Sequence, residues 1–150
     1  MELSSAAFKN GAPIPKQFTC DGPNVSPPLQ WSGIPDGSKS LALLVDDPDA
    51  PRGSWVHWIL FNIPPGAAGL PENIKKTGTI PNGARQGMND FHEVGYGGPC
   101  PPGGKHRYFF RLYALDAELT VDAGATRAQF ERAMQGHVVS DAQLMGTYQR

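Results

Sequence analysis

With 150 residues, a net charge of -1, 39% hydrophobic and 18% charged side chains, the chain is long enough for a substantial core and too apolar to be disordered. It lacks the basic stripe that nucleic-acid binding requires. Its 18 glycines and 15 prolines argue for turns and loops rather than a helical bundle.

The first predicted strand is short, Ile14 to Phe18. Asn24 to Trp31 reads as an extended piece whose prolines suit an edge or a loop. Ser40-Leu-Ala-Leu-Leu-Val45 is a continuous apolar run, the pattern of a strand buried on both faces. It ends in the stiff turn Asp46-Asp47-Pro-Asp-Ala-Pro51, where each proline restricts the residue before it. Trp55 to Asn62 is the next strand, and residues 67–93 read as loop. Gly95-Tyr-Gly-Gly-Pro-Cys-Pro-Pro-Gly-Gly104 is excluded from regular structure by its prolines and glycines, and it leads into a strand over His106 to Leu115. Phe130, Met134 and Val138 then recur at a spacing of four, predicting a helix with Thr126 as its N-cap. Leu144 to Tyr148 closes the chain as a short strand. With no βαβ alternation, the expectation is one mainly-β domain over residues 1–150, built of two packed sheets with Greek-key connections and a short C-terminal helical segment.

No apolar run reaches membrane-spanning length. The start, Met1 to Phe8, has neither the basic nor the apolar region of a secretion signal. The expectation is a soluble cytoplasmic protein, or a periplasmic one if a leader has been removed. The two cysteines, Cys20 and Cys100, leave three readings open: two free thiols, a disulfide across a long loop, or a reactive Cys100.

Strand alternation groups Leu41, Leu43, Val45 and Asp47 on one face. It groups Trp55, His57, Ile59 and Phe61 on another, and His106, Tyr108, Phe110 and Leu112 on a third. If the strand ending at Asp47 runs antiparallel to the other two, Asp47, His57, His106 and Tyr108 meet at one rim of the core. His92 and His137 lack such surroundings and read as surface or packing residues.

Several segments carry a resemblance to a known family. They are Cys20-Asp-Gly-Pro-Asn-Val-Ser-Pro-Pro-Leu-Gln-Trp31, Asp47-Pro-Asp-Ala-Pro51 with Trp55-Val-His57-Trp, and Gly95-Tyr-Gly-Gly-Pro-Cys-Pro-Pro102 with His106-Arg-Tyr108. In this order they resemble the phosphatidylethanolamine-binding protein family in its bacterial and archaeal, Raf-kinase-inhibitor-like branch. The resemblance implies a β-sandwich with a small anion pocket formed by Asp47, Pro51, Trp55, His57, Gly98, Pro99, His106 and Tyr108. It implies phosphate, phosphorylethanolamine or a phospholipid head group as ligand, no cofactor and no catalysis. It also implies regulatory binding to kinases or proteases and self-association as a homodimer. Eukaryotic members add a pocket tyrosine from a C-terminal helix; Tyr148 is not a convincing equivalent.

The pocket chemistry expected from these residues is donation by histidine and tyrosine to phosphate oxygens. Asp47 beside His57 would favour the imidazolium, so that affinity weakens as pH rises. Two rivals use the same residues: a hydrolase with Ser54, His57 and Asp47 as a triad, and a metal-dependent enzyme using His57, His106 and Asp47 or Asp49.

Overall fold

The computed structural model describes residues 1–150. Strands β1 (Glu2–Ser4), β2 (Leu29–Ser32) and β5 (Gly69–Leu70) form a small antiparallel sheet in the order β1-β2-β5. A larger sheet contains β3 (Ser40–Asp47), β4 (Trp55–Ile63), β6 (Arg85–Gln86), β7 (Lys105–Leu115) and β8 (Val138–Gln149). Its order is β6-β4-β3-β7-β8. The one α-helix, α1 (Arg127–Met134), lies between β7 and β8. No helix is long and apolar enough to cross a membrane.

The continuous apolar run of β3 explains the layering. Every one of its residues is buried, because its two faces line two different cores. Leu41, Leu43 and Val45 pack with Phe110, Leu112 and the small-sheet residues Leu3, Leu29, Trp31 and Leu70. Ala42 and Leu44 pack on the reverse side with Ile59, Phe61, Phe130 and Met134. The large sheet is thus covered by the small sheet on one face and by α1 on the other. A strand without polar alternation can only live in such a place.

The helix begins as its sequence predicts. Thr126 accepts from the Gln129 N–H, and the Gln129 side chain accepts from the Thr126 N–H, a reciprocal capping box. It ends earlier than the spacing of four implies. Val138 belongs to β8, and Gly136 at φ 82° turns the chain between the two. The final strand is accordingly longer than Leu144 to Tyr148.

The strand predicted over Ile14 to Phe18 is absent. Pro15, at φ -58°, opens a single 3-10 turn over Lys16–Phe18, closed by the Thr19 hydroxyl donating to the Lys16 carbonyl. Residues 67–93 are mostly loop, interrupted by the two-residue strands β5 and β6. The outer edge of β8 is covered near its end by residues 11–14. Gly11 and Ile14 donate to the Met145 and Thr147 carbonyls, and Thr147 donates to Ala12.

Phe130 is the helix residue sunk deepest between the sheet and α1, at 0% exposure. Phe130→Ala is expected to cost about 3–5 kcal/mol, read as a shift in the urea midpoint without loss of the native fold.

Candidate functional site

Strand β3 runs antiparallel to both β4 and β7. Its C-terminal end therefore meets the start of both neighbours, and Asp47, Trp55, His57, His106 and Tyr108 gather at one end of the sheet. Alternation alone misassigns β4, however. Val45 pairs with Trp58, but Asp46 pairs with Val56, leaving His57 as the extra residue of a β-bulge. Ile59 and Phe61 face α1, whereas His57 and Trp58 lie on the side of Tyr108 and the small-sheet core. The bulge re-aims Trp55 and His57 into the site.

A cavity of about 260 Å³ opens there. Its polar lining is Asp47, Arg52, His57, His106 and Tyr108. Its apolar walls are Ala50, Pro51, Trp55, Phe91, Pro101 and Pro102, with Cys100 beside them. Gly98 and Pro99, both expected as pocket residues, are not in the lining. Gly98 donates its N–H to Asn24 Oδ1 at 2.8 Å, and a Cβ on it would collide with the Phe18 carbonyl oxygen. Pro99 uses its carbonyl to accept from the Cys20 N–H. These two residues attach the Gly/Pro loop to the N-terminal segment. Arg52, Phe91 and the walls Ala50, Pro101 and Pro102 were not singled out from the sequence. Phe91 had no signal at all, since it reaches the site from the middle of a long loop.

Phe91 is held there by the preceding residues. Asn89 Oδ1 accepts from the N–H groups of Phe91 and Glu93, and Asn89 Nδ2 donates to the Gly95 carbonyl. Asp90 accepts from the Val56 N–H, fixing the loop to β4. The Phe91 ring then stands edge-on to Trp55 and His57, with centroids 5.5 and 5.4 Å away. Gly97 makes room for it, because a Cβ at 97 would lie 2.5 Å from Phe91 Cδ2.

The carboxylates act as joints. Asp47 is buried and accepts from His106 Nδ1 at 2.6 Å and from the Asp49 N–H at 2.8 Å. Asp46, pointing to the reverse face, accepts from Ser54, Arg111 and Arg127. Asp49 receives a two-pronged contact from Arg107, which holds its carboxyl at about 2, well below the ordinary value. Arg107 and Arg111 also lie over the Phe109 ring, so this face of β7 is occupied by its own ion pairs.

Asp47 thus engages His106 and not His57, contrary to the expected pairing. His57 is 3% exposed. Burial drives its pKa below the ordinary imidazole value of 6.5, outweighing the opposing pull of the Gly97 carbonyl and of Asp47. The imidazolium expected at His57 is therefore disfavoured. Tyr108 is 1% exposed and its hydroxyl is the one buried side-chain polar atom without a hydrogen-bond partner. Burial, and then the charge and nearness of the Asp47 carboxylate, push its pKa up, so it stays a neutral donor; it approaches Asp47 without hydrogen-bond geometry, and both Asp47 oxygens already accept from His106 and the Asp49 N–H.

The rival chemistries find no geometry. Ser54 is bonded to Asp46 and Arg127, and Asp47 is committed to His106, so no triad assembles around His57. No three His, Cys, Asp or Glu side chains are grouped to hold a metal ion. Tyr148 donates to Asp21 at 2.6 Å and lies outside the cavity.

The Gly/Pro loop is fastened from the N-terminal side. A disulfide joins Cys20 and Cys100 across 80 positions. In the chain-entropy account, closing a loop of about 80 residues is worth roughly 4–5 kcal/mol. Tyr96 donates to the Phe18 carbonyl, and Cys20 donates to Pro99.

Comparisons with known proteins agree with this fold. The sequence model of the family described as phosphatidylethanolamine-binding protein matches residues 4–149. A UPF0098 protein of Methanothermobacter thermautotrophicus is 53% identical over all of this chain and 99% of its own length. A crystal structure described as that of a phosphatidylethanolamine-binding protein homologue from Chlamydia trachomatis has a TM-score of 0.91 at 45% identity, covering 99% of this chain and 97% of that one. E. coli YbcL, described as a new member of the mammalian family, has a TM-score of 0.92 at 36% identity, with 99% and 98% covered.

The folded His57 takes up its proton at lower pH than the unfolded chain. Its contribution to stability is therefore complete above about pH 6.5 and is lost as pH falls below that, down to the folded value. Thermal denaturation between pH 7.5 and 5 should show this loss, at most about 1.4 kcal/mol per pH unit for one proton. His57→Gln should flatten the slope; an unchanged slope would remove His57 as its source.

Proposed function

The chain belongs to the phosphatidylethanolamine-binding protein family, and on that premise we propose that it is a non-enzymatic binding protein for a small anion. The ligand class is phosphate, phosphorylethanolamine or a phospholipid head group. The observation that carries the reading is the Tyr108 hydroxyl, buried at the cavity without a partner. An orphaned buried polar group costs on the order of 1–3 kcal/mol, and a ligand oxygen that accepts from it recovers that cost.

The neighbouring groups support the same ligand. His106 is held by Asp47 through Nδ1, which leaves Nε2 free to donate when the ring is protonated. Arg52 supplies a cation on an exposed loop. The apolar walls exclude water and strengthen each of these contacts. Trp55, 36% exposed, and Phe91, 38% exposed, stand at the mouth, where the organic part of a ligand would lie. The same exposed mouth is the natural contact for the kinase or protease partner that the family resemblance implies, with the ligand beneath it.

Tyr108→Phe separates this reading from a purely structural tyrosine. Removing the orphaned hydroxyl should raise the melting temperature of the ligand-free protein, corresponding to about 1 kcal/mol, and weaken phosphorylethanolamine binding by roughly 10-fold or more. Calorimetric titration and thermal denaturation of both proteins check it. Equal affinity in the two would end the case for Tyr108 as a ligand donor.

A further inference from the structure

His57 and Gly97 exchange two hydrogen bonds: the Gly97 N–H donates to the His57 carbonyl at 2.9 Å, and His57 Nδ1 lies 2.7 Å from the Gly97 carbonyl oxygen. A carbonyl only accepts, so Nδ1 carries a hydrogen in every protonation state. The ring's one hydrogen bond of good geometry is made by Nδ1, the Gly98 carbonyl lying near without forming another, and His57 lines the cavity with Nε2 left unbonded. The charged and titratable groups around the ring are Asp47 on β3, His106 and Tyr108 on β7, and Arg52 on the loop at the rim, with Asp46 on the far face of β3. Both aspartates are committed elsewhere, Asp47 to His106 and Asp46 to Arg111 and Arg127. A neutral ring at this depth presents a lone pair at Nε2.

The cavity therefore offers an acceptor, His57 Nε2, beside a donor, the Tyr108 hydroxyl; the two rings meet edge-to-face with centroids 5.2 Å apart. A sulfate ester, a phosphate diester and a fully ionised phosphate monoester have only acceptor oxygens and would set a lone pair against Nε2. A monoester carrying one proton has a P–OH for the acceptor and free oxygens for the donor. We propose that the cavity selects phosphate monoesters in their singly protonated form, with His57 Nε2 accepting the P–OH hydrogen and Tyr108 donating to an adjacent oxygen. This rests on the anion-binding reading and narrows it: the monoester head group is favoured over the diester of an intact phospholipid.

Three matched ligands test it on the unmodified protein at pH 6, near the second pKa of a phosphate monoester, about 6. They are phosphorylethanolamine, ethanolamine O-sulfate and glycerophosphorylethanolamine, titrated by calorimetry. The expected result is that the monoester binds at least about 10-fold tighter than the other two. In the complex, ¹⁵N spectra of the imidazoles should keep His57 neutral with its hydrogen on Nδ1. Sulfate or diester binding within about twofold of the monoester, or an imidazolium at His57 in the complex, overturns the inference and leaves anion binding standing. If none of the three binds, anion binding itself falls and the inference with it.

Discussion

The bulge at His57 is the constraint on which the site depends. Strands β3 and β4 pair in register from Leu43 with Leu60 to Val45 with Trp58, then slip by one residue. That slip leaves His57 on the side of Tyr108 although Ile59 and Phe61 point the other way, into the α1 side of the sheet. The bulged residue then binds Gly97 through both its backbone and its ring. One irregular residue thus orients the imidazole, fixes its tautomer and ties the Gly/Pro loop to the sheet. The loop cannot satisfy its own backbone groups in a ladder, so partners of this kind are a physical necessity.

Adjacent carboxylates divide the remaining labour. Asp46 and Asp47 lie on opposite faces of β3, and each is saturated by its own partners. Asp47 builds the cavity by holding His106, while Asp46 holds Ser54 and hence the base of the loop that bears Pro51 and Arg52. Burying two neighbouring carboxylates is tolerable only because each meets several donors. Across the cavity, the Cys20 to Asn24 segment secures the other wall through a disulfide, a backbone hydrogen bond from Cys20 to Pro99, and the Asn24 side-chain oxygen, which accepts from the Gly98 N–H. The glycines and prolines of that wall supply shape, and their fastening comes from a segment about 80 positions earlier.

Much of this was legible in the residues themselves. The apolar run of β3, the N-cap at Thr126 and the proline-rich turns follow from local chemistry, which needs no partner to be read. The convergence of Asp47, His57, His106 and Tyr108 followed from strand alternation and antiparallel pairing. Errors arose where a partner decides the outcome. Strand alternation puts His57 on the face of Ile59, because a bulge leaves no mark in a period-two pattern. The sequence sets Asp47 beside His57, whereas the antiparallel pairing of β7 brings His106 to it. Val138 continued a helical spacing by coincidence, since Gly136 ends the helix first.

The sequence by itself determined the mainly-β class, the positions of the long strands and the identity of the polar residues at one rim. Each of these depends on hydrophobic period, proline and glycine chemistry, or composition, all of which act over a few residues. The tertiary structure decided which histidine Asp47 holds, that Tyr108 is left without a partner, that Gly98 and Pro99 are fasteners, and that Phe91 forms a wall. Those outcomes depend on strand register and on contacts between segments tens of residues apart. A hydrogen bond is selective over tenths of an ångström, and no local pattern specifies position that finely.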